Sequence, residues 1–263
     1  MTQIPAVHVR QENRPGGAVA FVTLDNERKL NVLNTPLMEG FAVAMERLSA
    51  REDLRAVVLT GAGERAFVGG ADVNEMAKLE TPEDARAFIT LVHGCCAAVR
   101  DCPAPVIARI GGWTLGAGLE LAAACDLRVA ADTARFGMPE VKLGIPSVVE
   151  AALLPGLVGW GRTREMLLLG ETFDAAAALA MGLVDAVFPA AMLDAAVETR
   201  VASLLANGPQ AVRLQKALIR RWEDLPLKDA IAAGIDAFAA SFETDEPAIA
   251  MAKWREGRAE RPG

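Results

Sequence analysis

Segments typical of strands alternate with segments typical of helices through the first two-thirds of this chain. Short apolar runs rich in β-branched residues predict strands at residues 18–24, 55–60, 105–110 and 127–131. The segments between them predict helices at about residues 36–50, 82–99 and 117–125. Thr-Pro pairs begin the first two helices, since threonine caps a helix and proline fits its first turn. Such alternation predicts an α/β fold.

The last third of the chain changes character. From Gly161 to Trp254 the pattern is mainly helical. It is interrupted by a short strand at residues 184–188 and by Gly170, Gly182 and Gly208-Pro209. A helical C-terminal region of this size is typical of subunit contacts. We therefore expect an α/β core over residues 1–195 and a helical C-terminal region for oligomerisation over residues 196–263.

Charge and hydropathy exclude two classes of partner. The chain has 27 basic and 34 acidic side chains, a net charge of −7 and no tyrosine, so no basic, aromatic-rich stripe for nucleic acid is present. The longest uncharged stretch, residues 87–99, has 13 residues. A membrane-spanning helix needs roughly 20. The N-terminus lacks the basic start and apolar run of a secretory signal.

Four cysteines bear on metal binding and compartment. They are Cys95, Cys96, Cys102 and Cys125. Three lie close together and two are adjacent, which suits neither a disulfide framework nor a zinc ligand set. The two histidines, His8 and His93, leave little else to bind a metal, and we interpret both as structural. We expect reduced thiols, no metal and a cytoplasmic protein.

Glycine-rich loops do not match the usual phosphate motifs. Residues 61–67 lack the Gly-Lys-Ser/Thr ending of a nucleotide loop. Residues 116–118 follow a strand and begin a helix, but Leu121 stands where a dinucleotide fingerprint needs a small residue. No Gly-x-Ser-x-Gly elbow occurs, so an α/β-hydrolase is unsupported.

Two glycine-rich loops could instead bind an anion through their backbone N–H groups. Residues 68–72 and 115–118 can each direct backbone N–H groups at an anion, and two such donors on one oxygen make an oxyanion hole. The alternative is that the glycines serve only tight turns and close packing.

Two acids stand in apolar surroundings. Glu120 is the only charged residue between Arg109 and Asp126, and Glu140 follows Pro139 at a bend. A carboxylate there must lie on an outer face, be paired, or have a raised pKa. Two such groups can supply an acid and a base at neutral pH. The alternative is that each is a salt-bridged structural acid.

Four segments can be compared as a set with known families. They are residues 29–33, 66–76, 116–122 and 136–140. In order and spacing they resemble the crotonase (enoyl-CoA hydratase/isomerase) family, and the likeness covers roughly residues 18–258. The resemblance implies a crotonase-like spiral of ββα units, with a helical C-terminal trimerisation region and a homotrimer or homohexamer.

The resemblance also implies a chemistry. The family binds acyl-CoA thioesters, and its two enolate-stabilising N–H groups match Ala71 and Ala117. The substrate-binding positions match Lys29, Leu30, Ala71, Asp72, Val73, Asn74 and Ala117. Two glutamates that hold and activate water in hydratases match Glu120 and Glu140. The implied function is an enoyl-CoA hydratase that makes 3-hydroxyacyl-CoA, with no metal or cofactor beyond the substrate's coenzyme A.

Other chemistry stays open at this point. A crotonase fold can also serve double-bond isomerisation, thioester hydrolysis or C–C cleavage, or bind acyl-CoA without turnover. Asn74 stands where many members have lysine. Ser147, Val148, Val149 and Glu150 replace a glycine-rich stretch near the acyl pocket.

Glu150 and the basic residues have competing interpretations. Glu150 is either a third acid at the substrate or, as we favour, a first-turn carboxylate satisfying free helix N–H groups. Coenzyme A needs a basic patch on this acidic chain. The candidates are Arg28, Lys29, Lys216, Arg220 and Arg221, the last three being also explicable as solvated helix charges.

Overall fold

The computed structural model describes residues 5–259. In this part the chain folds into two β-sheets covered by helices. The strands of this part are β1 (Ala6–Arg14), β2 (Gly17–Asp25), β3 (Leu54–Gly61), β4 (Ala66–Val68), β5 (Val106–Ile110), β6 (Trp113–Leu115), β7 (Leu127–Ala131), β8 (Arg135–Gly137), β9 (Thr172–Asp174) and β10 (Ala186–Phe188). The helices are α1 (Thr35–Ser49), α2 (Val73–Met76), α3 (Pro82–Asp101), α4 (Ala117–Ala124), α5 (Leu154–Leu169), α6 (Ala175–Ala180), α7 (Leu193–Ala206), α8 (Pro209–Asp224), α9 (Leu227–Ser241) and α10 (Glu246–Ala259).

The strands alternate between the two sheets along the chain. One sheet has the order β1-β2-β3-β5-β7-β10, and the other has the order β4-β6-β8-β9. The units β3-β4-α3, β5-β6-α4 and β7-β8-α5 each place one strand in each sheet before a helix. The strands that these units contribute to a sheet pair in parallel, while β1 and β9 add antiparallel edges. This confirms the expected α/β spiral of ββα units.

Most predicted elements are confirmed, and the exceptions have a physical reason. The strands expected at 18–24, 55–60, 105–110 and 127–131 are β2, β3, β5 and β7. The strand β1 was missed because most of its side chains are exposed or half-buried and polar. The strands β4, β6, β8 and β9 have three residues each, too few to show a period.

Helix starts follow local capping chemistry. In α3, Thr81 and Asp84 form a reciprocal capping box, as the Thr-Pro signal suggests. In α1 the prediction is off by one residue, because Asn34 rather than Thr35 is the cap. The side chain of Asn34 accepts a hydrogen bond from the Leu37 N–H at 3.2 Å.

The core and the last helices complete the architecture. The main apolar core combines α1, α3 and α4 with both sheets, and α7 packs on the other face of the larger sheet. The helices α8 to α10 follow α7, and the expected division at residue 195 stays a prediction. No helix within residues 5–259 has both the length and the apolar character needed to cross a membrane.

Candidate active site

The loop after β4 leaves one backbone N–H group unpaired. Leu33 N–H donates to Gly70 O at 2.8 Å, and Asp72 N–H donates to Leu33 O at 2.9 Å. Ala71 lies between these two bonds in an isolated parallel bridge with Leu33. Its own N–H group donates to no protein acceptor among the described residues. This group is therefore free to bind an oxygen atom.

The start of α4 supplies a second unpaired donor. Leu119 and Glu120 donate their N–H groups to Gly116 O at 2.8 and 3.0 Å. Ala117 is the first helical residue, and within residues 5–259 its N–H group has no acceptor. The first N–H groups of any helix lack an intrahelical partner and lie at the positive end of its dipole.

Two glycines allow these loops to meet. A Cβ on Gly118 would overlap Val68 O, at the end of β4. A Cβ on Gly70 would lie 3.3 Å from Leu115 O, at the end of β6. The two interpretations of the glycines are therefore compatible, because the close packing that they permit brings the Ala71 and Ala117 loops side by side.

Glu120 lies on the first turn of α4 and is only 3% exposed. Burial raises the pKa of its carboxyl to about 8, and the nearby charges of Glu140 and Glu150 raise it too. Hydrogen bonds from the Ala151 and Val148 N–H groups oppose this shift in part. At neutral pH the side chain is therefore mainly the uncharged acid.

Glu140 begins a 3₁₀ turn, Glu140–Leu143, and is half-buried beside the start of α4. Ser147 Oγ donates a hydrogen bond to Glu140 Oε2 at 2.8 Å. A Cβ on Gly116 would overlap Oε1 of the same carboxylate. Neither Glu120 nor Glu140 forms an ion pair with any described residue, so the salt-bridged alternative is wrong.

The interpretation of Glu150 as a helix cap is wrong. It lies in the first turn of the 3₁₀ helix Val149–Leu153, but no side chain caps that helix. Instead the residue is buried, 7% exposed, and its Oε1 is hydrogen-bonded to His93 Nδ1 at 2.9 Å. The preceding residue, Val149, has a φ of 39°, a strained conformation for a β-branched side chain.

The other predicted substrate-binding residues cluster beside Ala71. Lys29 Nζ contacts Asp72 Oδ2 at 3.2 Å, and Asp72 caps α2 by accepting hydrogen bonds from the Asn74 N–H and side-chain amide. Burial opposes ionisation of Asp72, but the Asn74 and Lys29 hydrogen bonds prevail and lower its pKa. Leu30 O accepts from Gly69 N–H, and Val73 is half exposed.

One of the C-terminal basic residues, Lys216, has neither of the two roles considered for it. Lys216 is buried, and its Nζ donates to Asp126 Oδ2 at 2.6 Å and to the Val99 and Ala104 carbonyl oxygens. It is neither a solvated helix charge nor free for coenzyme A. Arg220 pairs with Asp101 and Glu223 at the surface.

Sequence reasoning did not find the contacts that three residues of this site make. Ser147, which holds Glu140, had no signal beyond being a hydroxyl in an apolar loop. His93 was interpreted as structural, and only the structure places it against Glu150 across 57 positions of sequence. Gly118 lay inside a recognised motif, but its contact with Val68 depends on the tertiary fold. No group of three or more His, Cys, Asp or Glu side chains within residues 5–259 could hold a metal ion.

This geometry defines a class of enzyme site. Two unpaired N–H groups at adjacent loops can stabilise negative charge on an oxygen, and two carboxyl groups of unlike surroundings can move protons beside them.

Comparisons with known proteins agree with that class. The family signature described as Enoyl-CoA hydratase/isomerase matches residues 14–261. A short-chain-enoyl-CoA hydratase of Clostridium acetobutylicum is 36% identical over 244 residues, covering 92% of this chain and 93% of the relative. A crotonyl-CoA hydratase of Syntrophomonas wolfei is 32% identical over 241 residues, covering 91% and 92%.

Solved structures show the same likeness. The enoyl-CoA hydratase of Mycobacterium smegmatis superposes with a TM-score of 0.90 at 30% identity, covering 97% of this chain and 98% of that one. The enoyl-CoA hydratase of Bacillus anthracis gives 0.89 at 32% identity, covering 95% and 96%. The chain belongs to the enoyl-CoA hydratase/isomerase (crotonase) family and has the crotonase fold.

Proposed function

We propose that this chain is an enoyl-CoA hydratase, which adds water across the 2,3 double bond of a trans-2-enoyl-CoA to give a 3-hydroxyacyl-CoA. The observation that carries the proposal is the pair of carboxyl groups, Glu120 and Glu140, beside two unpaired backbone N–H groups. Relatives named as short-chain-enoyl-CoA and crotonyl-CoA hydratases support a short acyl group.

The unpaired N–H groups explain how the double bond becomes reactive. The thioester carbonyl oxygen accepts hydrogen bonds from the Ala71 and Ala117 N–H groups. When water attacks Cβ, negative charge moves onto this oxygen, and each donor stabilises it by about 3–4 kcal/mol by analogy with measured oxyanion holes. The dipole of α4 adds to the effect at Ala117.

The two carboxyl groups divide the proton chemistry. Glu140, held by Ser147 Oγ, accepts a proton from the water as its oxygen bonds to Cβ. The same carboxyl then gives that proton to Cα, so the net change is the addition of one water molecule. Glu120, neutral at pH 7, helps to hold the water by hydrogen bonding.

Residues beside Ala71 fit the coenzyme A part of the substrate. Lys29 is exposed and is oriented by Asp72 at the edge of the site, where a phosphate can bind its ammonium group. Leu30, Val73 and Asn74 line the same edge. Arg28 is exposed next to this group.

Two acids rather than one favour hydration over the other crotonase reactions. In the family an isomerase typically keeps a single acid at the second position, whereas both Glu120 and Glu140 are present here. A chain that only bound acyl-CoA would have no use for two carboxyl groups in an apolar site. Burial of an ionisable group such as Glu120 costs free energy, because the charged form is destabilised away from water.

We infer that the chain also self-associates through residues 196–263, as a homotrimer or homohexamer. Large apolar side chains on α9 are exposed, among them Leu227, Ile231, Ile235 and Phe238 at 59–78%. Patches of this kind on a soluble surface mark interaction sites. Light scattering after gel filtration gives the mass that decides between the two assemblies, and a monomer would contradict the inference.

The test of function uses crotonyl-CoA. We expect loss of the conjugated thioester absorbance and a product heavier by one water. A product of unchanged mass would indicate an isomerase, and free coenzyme A would indicate a thioester hydrolase. Tight binding without any product would identify a non-catalytic member.

A further inference from the structure

Asn31 is a buried polar residue that the proposed mechanism does not use. It is 0% exposed and has a φ of 56°, in the left-handed region, as has Leu30 with a φ of 57°. Residues with a side chain rarely adopt this conformation, although asparagine tolerates it better than most. Such a backbone persists only where the surrounding structure fixes it. The turn at residues 26–33 therefore depends on the contacts that Asn31 makes.

Three separate backbone segments are hydrogen-bonded to the Asn31 side chain. Its amide nitrogen donates to the Ala62 and Ala66 carbonyl oxygens, each at 2.9 Å. Its amide oxygen accepts from the Asn26 N–H group at 3.1 Å. A Cβ on Gly61 would overlap the same amide nitrogen, so the end of β3 lies directly against it. The side chain thus ties the turn to the end of β3 and to the start of β4.

The turn also supports the loop that contains Ala71. Leu30 O, next to Asn31, accepts a hydrogen bond from the Gly69 N–H group at 2.8 Å. Leu33 forms the two backbone hydrogen bonds that flank Ala71 and is its partner in the parallel bridge. Both supports lie within two positions of Asn31, so a shift of the turn moves the Ala71 N–H group.

The proposed coenzyme A contact lies on the same turn. Lys29 Nζ contacts Asp72 Oδ2, next to Ala71, at 3.2 Å. After the turn, the Thr35 N–H group and Oγ1 both donate to Glu75 Oε2 at 2.8 Å, which joins the start of α1 to α2. The turn and the Ala71 loop are therefore one hydrogen-bonded unit.

We propose that Asn31 is a positioning residue, which holds the Ala71 N–H group at the thioester oxygen while Lys29 binds the coenzyme. Asn31 is fully buried, so it acts through the turn and not on the substrate. A misplacement of about 1 Å at a reacting group can cost roughly 10²-fold in rate. The proposal rests on the proposed function, because Ala71 is a proposed oxyanion donor.

The experiment reports on the Ala71 donor without turnover. Butyryl-CoA, labelled with ¹³C at its carbonyl, has the thioester of the substrate but no double bond to hydrate. Hydrogen bonds to a carbonyl oxygen lower its C=O stretching frequency, which infrared difference spectroscopy measures. We expect a band at lower frequency on the wild type than in solution. In Asn31→Gly, a large part of this shift should be lost.

Two variants separate the side-chain bonds from the backbone conformation. Asn31→Gly can keep the left-handed φ but has no amide to donate or accept. Asn31→Ser is the milder change, since its hydroxyl can donate to only one of the two carbonyl oxygens. It should give a band between those of the wild type and Asn31→Gly, and it decides the question if the glycine variant does not fold. A wild-type band in the variant that folds would overturn the proposal.

The matched control is Arg55→Met, at the opposite end of β3. The Arg55 side chain is also buried and donates to backbone carbonyl oxygens, those of Leu204 at 2.8 Å and Asn207 at 2.7 Å. This variant should unfold at lower urea concentration and yet keep the wild-type band. If it loses the shift as Asn31→Gly does, general destabilisation explains the result and the proposal is wrong.

The kinetic measurement uses crotonyl-CoA and the same variants. Asn31→Gly should lower kcat by about 10²-fold and change KM far less, while Arg55→Met should keep kcat. A wild type that shifts the butyryl-CoA band but hydrates no crotonyl-CoA would contradict the proposed function, and the bands of the variants would still decide the role of Asn31. A wild type with an unshifted band would overturn both proposals.

Discussion

The carboxylate of Glu140 fills the space that a side chain on Gly116 would occupy. A Cβ on Gly116 would overlap Glu140 Oε1. Gly116 also has a φ of 50° and a ψ of −122°, which side-chain-bearing residues rarely adopt. The start of α4 and the proposed acid/base are thus in direct contact, next to the unpaired Ala117 N–H group.

Gly116→Ala should therefore reduce activity strongly. The new methyl group must displace the Glu140 carboxylate, and a misplacement of about 1 Å can cost roughly 10²-fold in rate. We expect a fall of about that size in kcat for enoyl-CoA hydration. The control is Gly94→Ala in α3, where a Cβ would meet nothing within 4 Å. That variant should keep its kcat and be more stable by about 0.5–1 kcal/mol.

Ser147→Ala should lower kcat by about 10-fold, because a hydrogen bond to a charged carboxylate contributes roughly 1.5 kcal/mol. The bond to remove is that from Ser147 Oγ to Glu140 Oε2, at 2.8 Å. Ser147→Thr keeps the hydroxyl and should retain most of the activity. Equal loss in both variants would show that the loop shape, rather than the hydroxyl, matters.

Glu120→Gln should change how stability depends on pH. Folding raises the pKa of Glu120 from an ordinary 4.5 to about 8, so between these values the folded chain holds a proton that the unfolded chain has lost. The contribution of this group to the free energy of unfolding is therefore fully present below about pH 4.5 and is lost as pH rises from there through about 8.

Denaturation in urea at several pH values measures this effect. Between pH 4.5 and about 8 the free energy of unfolding of the wild type should fall, with this group contributing on the order of 4 kcal/mol to the decrease. Glu120→Gln, which cannot ionise, should lack that part of the slope and be the more stable protein at alkaline pH. Parallel curves for the two proteins would contradict the pKa shift.

Lys216→Met should destabilise the fold without weakening substrate binding. It removes the buried Nζ that pairs with Asp126 and leaves the Val99 and Ala104 carbonyl oxygens without that donor, which costs about 1–3 kcal/mol. The KM for enoyl-CoA should be unchanged in the folded fraction. Lys228→Met, at an exposed position of α9, is the control and should alter neither quantity. A raised KM in Lys216→Met with normal stability would restore this lysine as a coenzyme A contact.

Elements with a strong local signal could be predicted from the sequence. The parallel strands β2, β3, β5 and β7 are apolar runs, and the capped helices α1 and α3 carry Thr-Pro signals. The second sheet could not be predicted, because strands of three residues have no period to detect.

The candidate site likewise combines residues that the sequence indicates with contacts that only the tertiary fold creates. The Ala71 and Ala117 loops and the two acids lie in motifs that the sequence displays. The contacts of Ser147 with Glu140 and of His93 with Glu150 depend on tertiary packing, which brings together residues 7 and 57 positions apart. The buried role of Lys216 was missed because its partner, Asp126, lies 90 positions away.

The pair of carboxyl groups is the centre of this account, and one set of rates tests it most directly. Hydration of crotonyl-CoA is measured for the wild type, Glu120→Gln, Glu140→Gln and the double variant, with product masses determined. We expect each single variant to lose about 10²–10⁴-fold in kcat. The double variant should lose little more, because the two groups act as a unit. Hydration at the wild-type rate in Glu140→Gln would contradict the account.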